Sequence, residues 1–464
     1  MNSEIHIRKC ISWSGAASCR GRWGMRFAAV FLVTVLCATS SPAYSVLTHE
    51  EIIDLAWADD IRPLLLQRFP GLTEEQITEA HAYAYGGAVI QDLGYYPFGN
   101  SEFSNLVHYV RSGDFVRELL LESADANEYA FALGALAHYA SDIAGHPTIN
   151  QAVAIEYPKL RLKFGSSVRY AQDHTAHLKT EFGFDMVQVA KNRYASQQYH
   201  DFIGFQVSKS LLERVFAVVY GIELKDVLSH EDLAIGSYRY SVSRLIPEMT
   251  QVALRTHKKD IMHETSGFSK QKFLYRLSRS EYEKEWGKDY PKPGFGTRFL
   301  SALLHYVPKV GPFKAMAFNN PTPQTEEMYF KSINSTVDQY RVFLKEVRAN
   351  SLVLPNRDFD TGRPTQAAEY SLTDDSYAKL LGRLSDGKFD RTTASLKGNI
   401  LEFYSDLSAP FETKKDQGHW RDVVTSLGLL KAVVPSPSVP DGPGRNNQME
   451  PGRNNTSTAM PAAE

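Results

Sequence analysis

The stretch Gly134-Ala-Leu-Ala-His138-Tyr-Ala-Ser-Asp142-Ile-Ala-Gly145-His146-Pro147 constrains the fold more than any other part of the chain. Its apolar residues recur at helical spacing, and Ser123, Asp125 and Asn127 before it are able to cap a helix start. Gly145 and Pro147 are residues expected just past a helix C-terminus, so the spacing predicts a helix that stops there. His138 and Asp142 stand four apart and leave one helix face about 6 Å apart along the axis. The rest of that face is Ala, Leu and Ile, which turns it inward. Burying a carboxylate is costly unless it is paired or holds a metal. A lone interior histidine is usually a hydrogen-bonded core residue. A histidine and an aspartate one turn apart, with His146 at the helix end, point instead to a metal site.

Composition limits what such a site can be made from. A length of 464 residues exceeds one typical domain, and 43% hydrophobic residues supply an ample core. A net charge of −2 gives no blanket attraction to nucleic acid or membrane. The front of the chain differs: residues 1–43 hold Arg8, Lys9, Arg20, Arg22 and Arg26 against Glu4 alone, leaving the remainder acidic. Met25-Arg26-Phe27, an apolar run over 28–39 and small residues ending Ser41-Pro42-Ala43 form the pattern of an export signal. The run is too short to span a bilayer, and Met25 is an alternative start. Cleavage after Ala43 makes Tyr44 the mature N-terminus; cleavage after Ser45 also fits the small-residue rule. Cys10, Cys19 and Cys37 all lie in the removed piece, so the mature, secreted or periplasmic chain has no thiolate ligand. A metal there must be held by histidine, carboxylate or backbone groups.

Read in order, the mature chain is all-α. Thr48-His49-Glu50-Glu51 has the form of a capping box with Thr48 as N-cap, and Thr73-Glu74-Glu75-Gln76 repeats it. Tyr85-Gly86-Gly87 leads to Asp92 and a loop rich in Gly and aromatics, and His108 follows in an apolar run. Beyond Pro147 an irregular stretch is expected, then His177 and Glu181 at the same one-turn spacing as His138 and Asp142. Further helices run from about 201 to 262, with Val207, Leu211, Leu212, Val215 and Phe216 on one stripe. A helical region of unknown role spans 266–434. Within it, residues 291–325 hold Lys292, Arg298, Lys309 and Lys314 but no acid, a pattern open to peripheral contact with an anionic membrane or to a packed helix-turn with surface lysines. Asn356-Arg-Asp358-Phe-Asp360-Thr-Gly362 resembles a calcium loop, but Gly362 falls one place late and Ala367 stands where the closing Glu belongs, so it reads as a turn. Residues 435–464, rich in Pro, Gly, Ser and Asn, read as a disordered tail.

Candidate donors crowd the first half: His49, Asp92, His108, His138, Asp142, His146, His177 and Glu181. Zinc accepts N and O donors at about 2 Å, and a catalytic ion needs roughly three protein ligands and an open position. Eight donors exceed one ion's needs, and bridging carboxylates let two ions clamp a phosphate. Taken singly, His49 also fits a capping turn, Asp92 a turn and His108 the core. His174, seven before Glu181, competes with His177. His81, His200, His230, His257, His263, His305 and His419 carry no such pattern.

The order of the set resembles the bacterial zinc-dependent phospholipase C family and the related fungal single-strand-specific nucleases. The family pattern is an N-terminal aromatic with a His five residues on, then Asp, His, His-x3-Asp, His, and His-x3-Glu or His-x3-Asp. Here Tyr44, His49, Asp92, His108, His138-x3-Asp142, His146 and His177-x3-Glu181 follow in that order. The resemblance covers about 44–260 within a catalytic domain taken as 44–265, and implies an all-α fold with three zinc ions. It implies one ion on Asp92, His108, His138 and Asp142, and a second on His146, His177 and Glu181. A third falls to His49, bridging Asp142 and the amino and carbonyl groups of Tyr44, with Asp92 also orienting or deprotonating the attacking water. Tyr stands where the family has Trp, and the gap from Asp142 to His146 is short.

The implied activity is hydrolysis of phospholipid headgroups by a metal-activated water. Two alternatives are a nuclease or nucleotidase of the same fold, which would bind nucleic acid, and a non-catalytic zinc-stabilised membrane-binding protein. Tyr95, Tyr96 and Phe98 could wall a choline-like headgroup. Tyr109 could stack a nucleobase, and a plain hydrophobic loop core accounts for all four equally well.

Overall fold

The computed structural model describes residues 46–190, 204–242, 246 and 320–437. The export signal, Tyr44, residues 291–319 of the basic stretch and nearly all of the tail lie outside the described residues. Among those described the fold is all-α: helices follow one another without a strand, and the pairing between extended segments is limited to two isolated bridges, Arg357 with Pro364 and Thr393 with Ser436. No helix among them is long and apolar enough to cross a membrane.

A helix of 31 residues, Ala126–Glu156, forms the axis. Asp125 caps it by accepting the Glu128 N–H at 2.9 Å. Residues Glu128–Asp142 are buried without a break, the pattern of a helix packed on every side. The helix does not stop at Gly145-His146-Pro147, as the sequence pattern suggests; Pro147 lies inside it. A proline in a helix removes one N–H and crowds the carbonyl four residues back. The following turns bury Ile149, Asn150, Ala152, Val153 and Ala154, which sustains the helix past that defect. His146 is therefore an interior residue, and His138, Asp142 and His146 lie on one face. Beyond Pro147 the chain stays helical to Glu156 and again over Pro158–Phe164, so the irregular stretch is confined to 165–173, with a 3-10 turn at Tyr170–Gln172.

Helix Glu74–Ala88 crosses the axis at backbone contact distance. A Cβ on Gly134 would sit 2.1 Å from the Ala84 carbonyl oxygen, and one on Gly87 would sit 1.9 Å from that of Phe131. Replacing Gly134 with Ala is expected to destabilise the fold by about 3 kcal/mol in urea denaturation, since overpacking against backbone outweighs a helix-propensity gain of about 1 kcal/mol. Thr73 caps Glu74–Ala88 with the full capping box. Thr48 does not cap, contrary to its sequence context. It lies inside helix Val46–Ala56, and its hydroxyl donates to Asp185 Oδ1 at 2.8 Å, so a tertiary bond takes the side chain.

Helix Pro323–Arg348 packs along the other side of the axis, and Tyr340 donates to the Leu133 carbonyl at 2.9 Å. One hydrophobic cluster holds Ile52, Leu133 and Phe216 together with Tyr340, Leu381 and Leu427, so residues beyond 320 share the core of the first half. At the end of the axis, Glu156 accepts hydrogen bonds from Thr325 (2.8 Å) and Thr180 (3.2 Å). Burial pushes its carboxyl up from 4.5 to about 7, against those two bonds. A raised folded pKa stabilises below the unfolded value and is lost as pH rises through the folded one. Glu156→Gln is therefore expected to gain about 1–2 kcal/mol at pH 8, and to gain nothing at pH 4, in paired thermal melts.

Candidate metal centre

Asp142 sits at the middle of the axis with no exposed surface, and four imidazoles surround it. Its carboxylate lies 3.0 Å from His138 Nε2, 3.4 Å from His108 Nε2, 3.6 Å from His49 Nε2 and 3.7 Å from His146 Nε2. Asp92, in the short 3-10 turn Ile90–Tyr95, approaches His108 Nε2 at 3.4 Å. Four segments thus deliver donors to one place: Val46–Ala56, the Asp92 turn, helix Ser101–Tyr109 and the axis.

The far sides of the rings decide what the near sides can do. His138 Nδ1 lies 2.9 Å from the Ala88 carbonyl and His108 Nδ1 lies 2.7 Å from the Ser104 carbonyl. A carbonyl only accepts, so each Nδ1 carries the hydrogen. In the neutral rings both Nε2 atoms then carry lone pairs, and they face each other at 3.4 Å. A cation between them resolves that opposition, and an outer N–H held by a carbonyl is the usual support of a metal-bound histidine. The tight crossing through Gly134 and Gly87 is what brings the Ala88 carbonyl to His138.

Electrostatics describe the same place filled by protons. Burial opposes charge on His108, but hydrogen bonds and charge from Asp142 and Asp92 outweigh it and hold the ring at about 10. Burial also works against the Asp142 carboxylate, yet the surrounding His138, His108 and His146 hold it well below the usual range. Burial pushes Asp92 up, and burial with the charge of His138 pushes His49 down. Metal binding to such a set displaces protons.

Two sets of three donor atoms lie within 4.8 Å of one another among the described residues: His49, His138 and Asp142, and Asp92, His108 and His138. His138 has one lone pair to give, so it can serve one ion of the two. His146, His177 and Glu181 do not close into such a set. Each is nonetheless buried, and His177 donates Nε2–H to the Val168 carbonyl at 2.6 Å, leaving Nδ1 as the acceptor, 3.6 Å from Glu181 Oε1. Burial pulls His177 down to about 4, so the ring is neutral. His174 is exposed and stacks on Tyr170 at 4.3 Å between ring centroids.

The aromatic candidates separate. Tyr95 is buried against His108 and Tyr170 and donates to Asn105 Oδ1 at 3.2 Å. Tyr96 packs edge-on against Tyr238. Tyr109 is 1% exposed, enclosed by His108 and Tyr370, and presents no open face to a base. Phe98 stands in solvent at 50% exposure.

One neighbour was not anticipated. Asp360, in the segment read as a plain turn, lies 3.4 Å from His146 Nδ1 through its Oδ1 and has no exposed surface. Phe359 beside it packs edge-on against His108 at 5.2 Å. The sequence signal for it is Asp358-Phe359-Asp360, whose spacing is not that of a calcium loop.

Residues 48–230 match the model of a family described as zinc dependent phospholipase C. No curated protein and no solved structure matches the chain.

Proposed function

We propose that this chain, whose residues 48–230 carry the zinc dependent phospholipase C match, is an exported phospholipid hydrolase that releases headgroups at its buried donor cluster. The observation that carries the reading is the pair of imidazoles, His108 and His138, pinned through Nδ1 to carbonyls with their Nε2 atoms opposed at 3.4 Å. Zinc fits such a donor set. Asp92, His108, His138 and Asp142 would hold one ion. His49, with Asp142 and the main chain of Tyr44, would hold another, and His146, His177 and Glu181 a third. Bound zinc supplies Lewis acidity, neutralising phosphate charge and lowering the pKa of water.

The protein's own groups do the rest. Asp92, fully buried beside His108, would orient the attacking water and take its proton. The Ala88 and Ser104 carbonyls hold His138 and His108 in one tautomer and one ring orientation. Tyr95, which packs against His108, would border the headgroup, and the basic residues Lys292, Arg298, Lys309 and Lys314 would meet the lipid surface.

The test is hydrolysis of phosphatidylcholine vesicles and of single-stranded DNA by the chain from Tyr44 with a free amine, with and without chelator. Headgroup release that stops on chelation and returns with zinc is expected. DNA cleavage without lipid turnover would instead assign a nuclease, and tight zinc with neither activity would assign a non-catalytic protein.

A further inference from the structure

We infer that Asp360, which lies outside the matched segment, is a carboxylate donor to the zinc position of His146 and His177. The inference rests on the zinc-hydrolase reading above and adds a ligand from the C-terminal part of the chain. Asp360 is fully buried, and its Oδ2 has no hydrogen-bond partner. Its Oδ1 accepts the Tyr170 N–H at 3.3 Å and lies 3.4 Å from His146 Nδ1, an atom that itself makes no hydrogen bond. A buried carboxylate oxygen and a buried imidazole nitrogen left open side by side are a donor pair awaiting a cation. The Asp360 charge also faces His177, whose Nδ1 is likewise open.

The position is built rather than accidental. The Asp360 carbonyl accepts from Asn150 Nδ2 at 2.8 Å, one turn beyond His146 on the axis. The Phe359 N–H reaches the His108 carbonyl at 3.3 Å. Gly362 adopts φ +68°, and a Cβ there would lie 2.5 Å from the Ile143 carbonyl oxygen, the one Pro147 leaves without its helical N–H. The segment is therefore seated on the axis at the proline, with Asp360 aimed at His146.

A role limited to orienting His146 would engage Oδ1 alone, across a long 3.4 Å approach to Nδ1, and would leave Oδ2 unserved. Direct coordination accounts for both atoms.

The experiment uses the mature chain from Tyr44, which holds no cysteine of its own. Zinc is counted by elemental analysis, and affinity is read by competition with a chromophoric chelator. Asp360→Asn is expected to lose one zinc equivalent or to hold it at least about ten-fold more weakly, with unchanged far-ultraviolet circular dichroism. Asp360→Cys, loaded with Co2+, is expected to show a thiolate-to-cobalt charge-transfer band absent from the parent, since a thiolate binds the ion only from within its coordination sphere. Parent-like zinc number and affinity in Asp360→Asn would overturn the inference. So would the absence of a band in Asp360→Cys, even with weakened zinc, because Asp360 would then act through His146. A parent chain that binds no zinc would instead bring down the hydrolase reading beneath it.

Discussion

Asp142→Asn is expected to abolish phospholipid turnover, by about 10³-fold or more, and to remove at least one zinc equivalent. The carboxylate faces His138, His108, His49 and His146 at 3.0–3.7 Å and is shared between the two halves of the cluster. An amide of the same shape keeps the packing but offers four imidazoles no counter-charge. Lewis-acid stabilisation of a phosphoryl transition state is worth several kcal/mol, and about 1.4 kcal/mol is ten-fold in rate. Steady-state assays with zinc analysis of the same sample check both halves of the expectation. An Asp142→Asn protein with parent activity would place the chemistry elsewhere.

Stripping zinc is expected to lower the melting temperature by roughly 10 °C, with recovery on adding zinc back. A ligand present at a thousand times its dissociation constant stabilises the native state by about 4 kcal/mol, and each kcal/mol moves a domain of this size by roughly 2–4 °C. Removal leaves buried carboxylates whose charge falls to protonated imidazoles, as Asp142 and Asp92 drive His108 up against its burial. Calorimetry before and after chelation reads the shift directly. An unchanged melting temperature would mean that the cluster is held together without an ion.

The local part of this site was legible in the sequence. Four-residue spacing puts His138 over Asp142 and His177 over Glu181 whatever the tertiary fold does, so those pairs follow from helix geometry alone. The Thr73 capping box is equally local. What sequence could not reveal depended on distant backbone. The axis runs through Pro147 because residues beyond it have a core to bury. Thr48 gives up its capping role to Asp185, 137 residues away. Asp360 meets His146 only because Gly362 permits a turn against Ile143 and Pro147. Tyr109 looked like a platform because its neighbour was a candidate ligand, yet Tyr370 from the C-terminal part covers it.

The proposed zinc cluster is tested most directly by an anomalous difference map collected at the zinc edge from crystals of the chain starting at Tyr44. Peaks are expected between Asp92, His108 and His138 and beside His49 and Asp142. A map with no peak among these residues, from protein that contains zinc, would contradict the assignment.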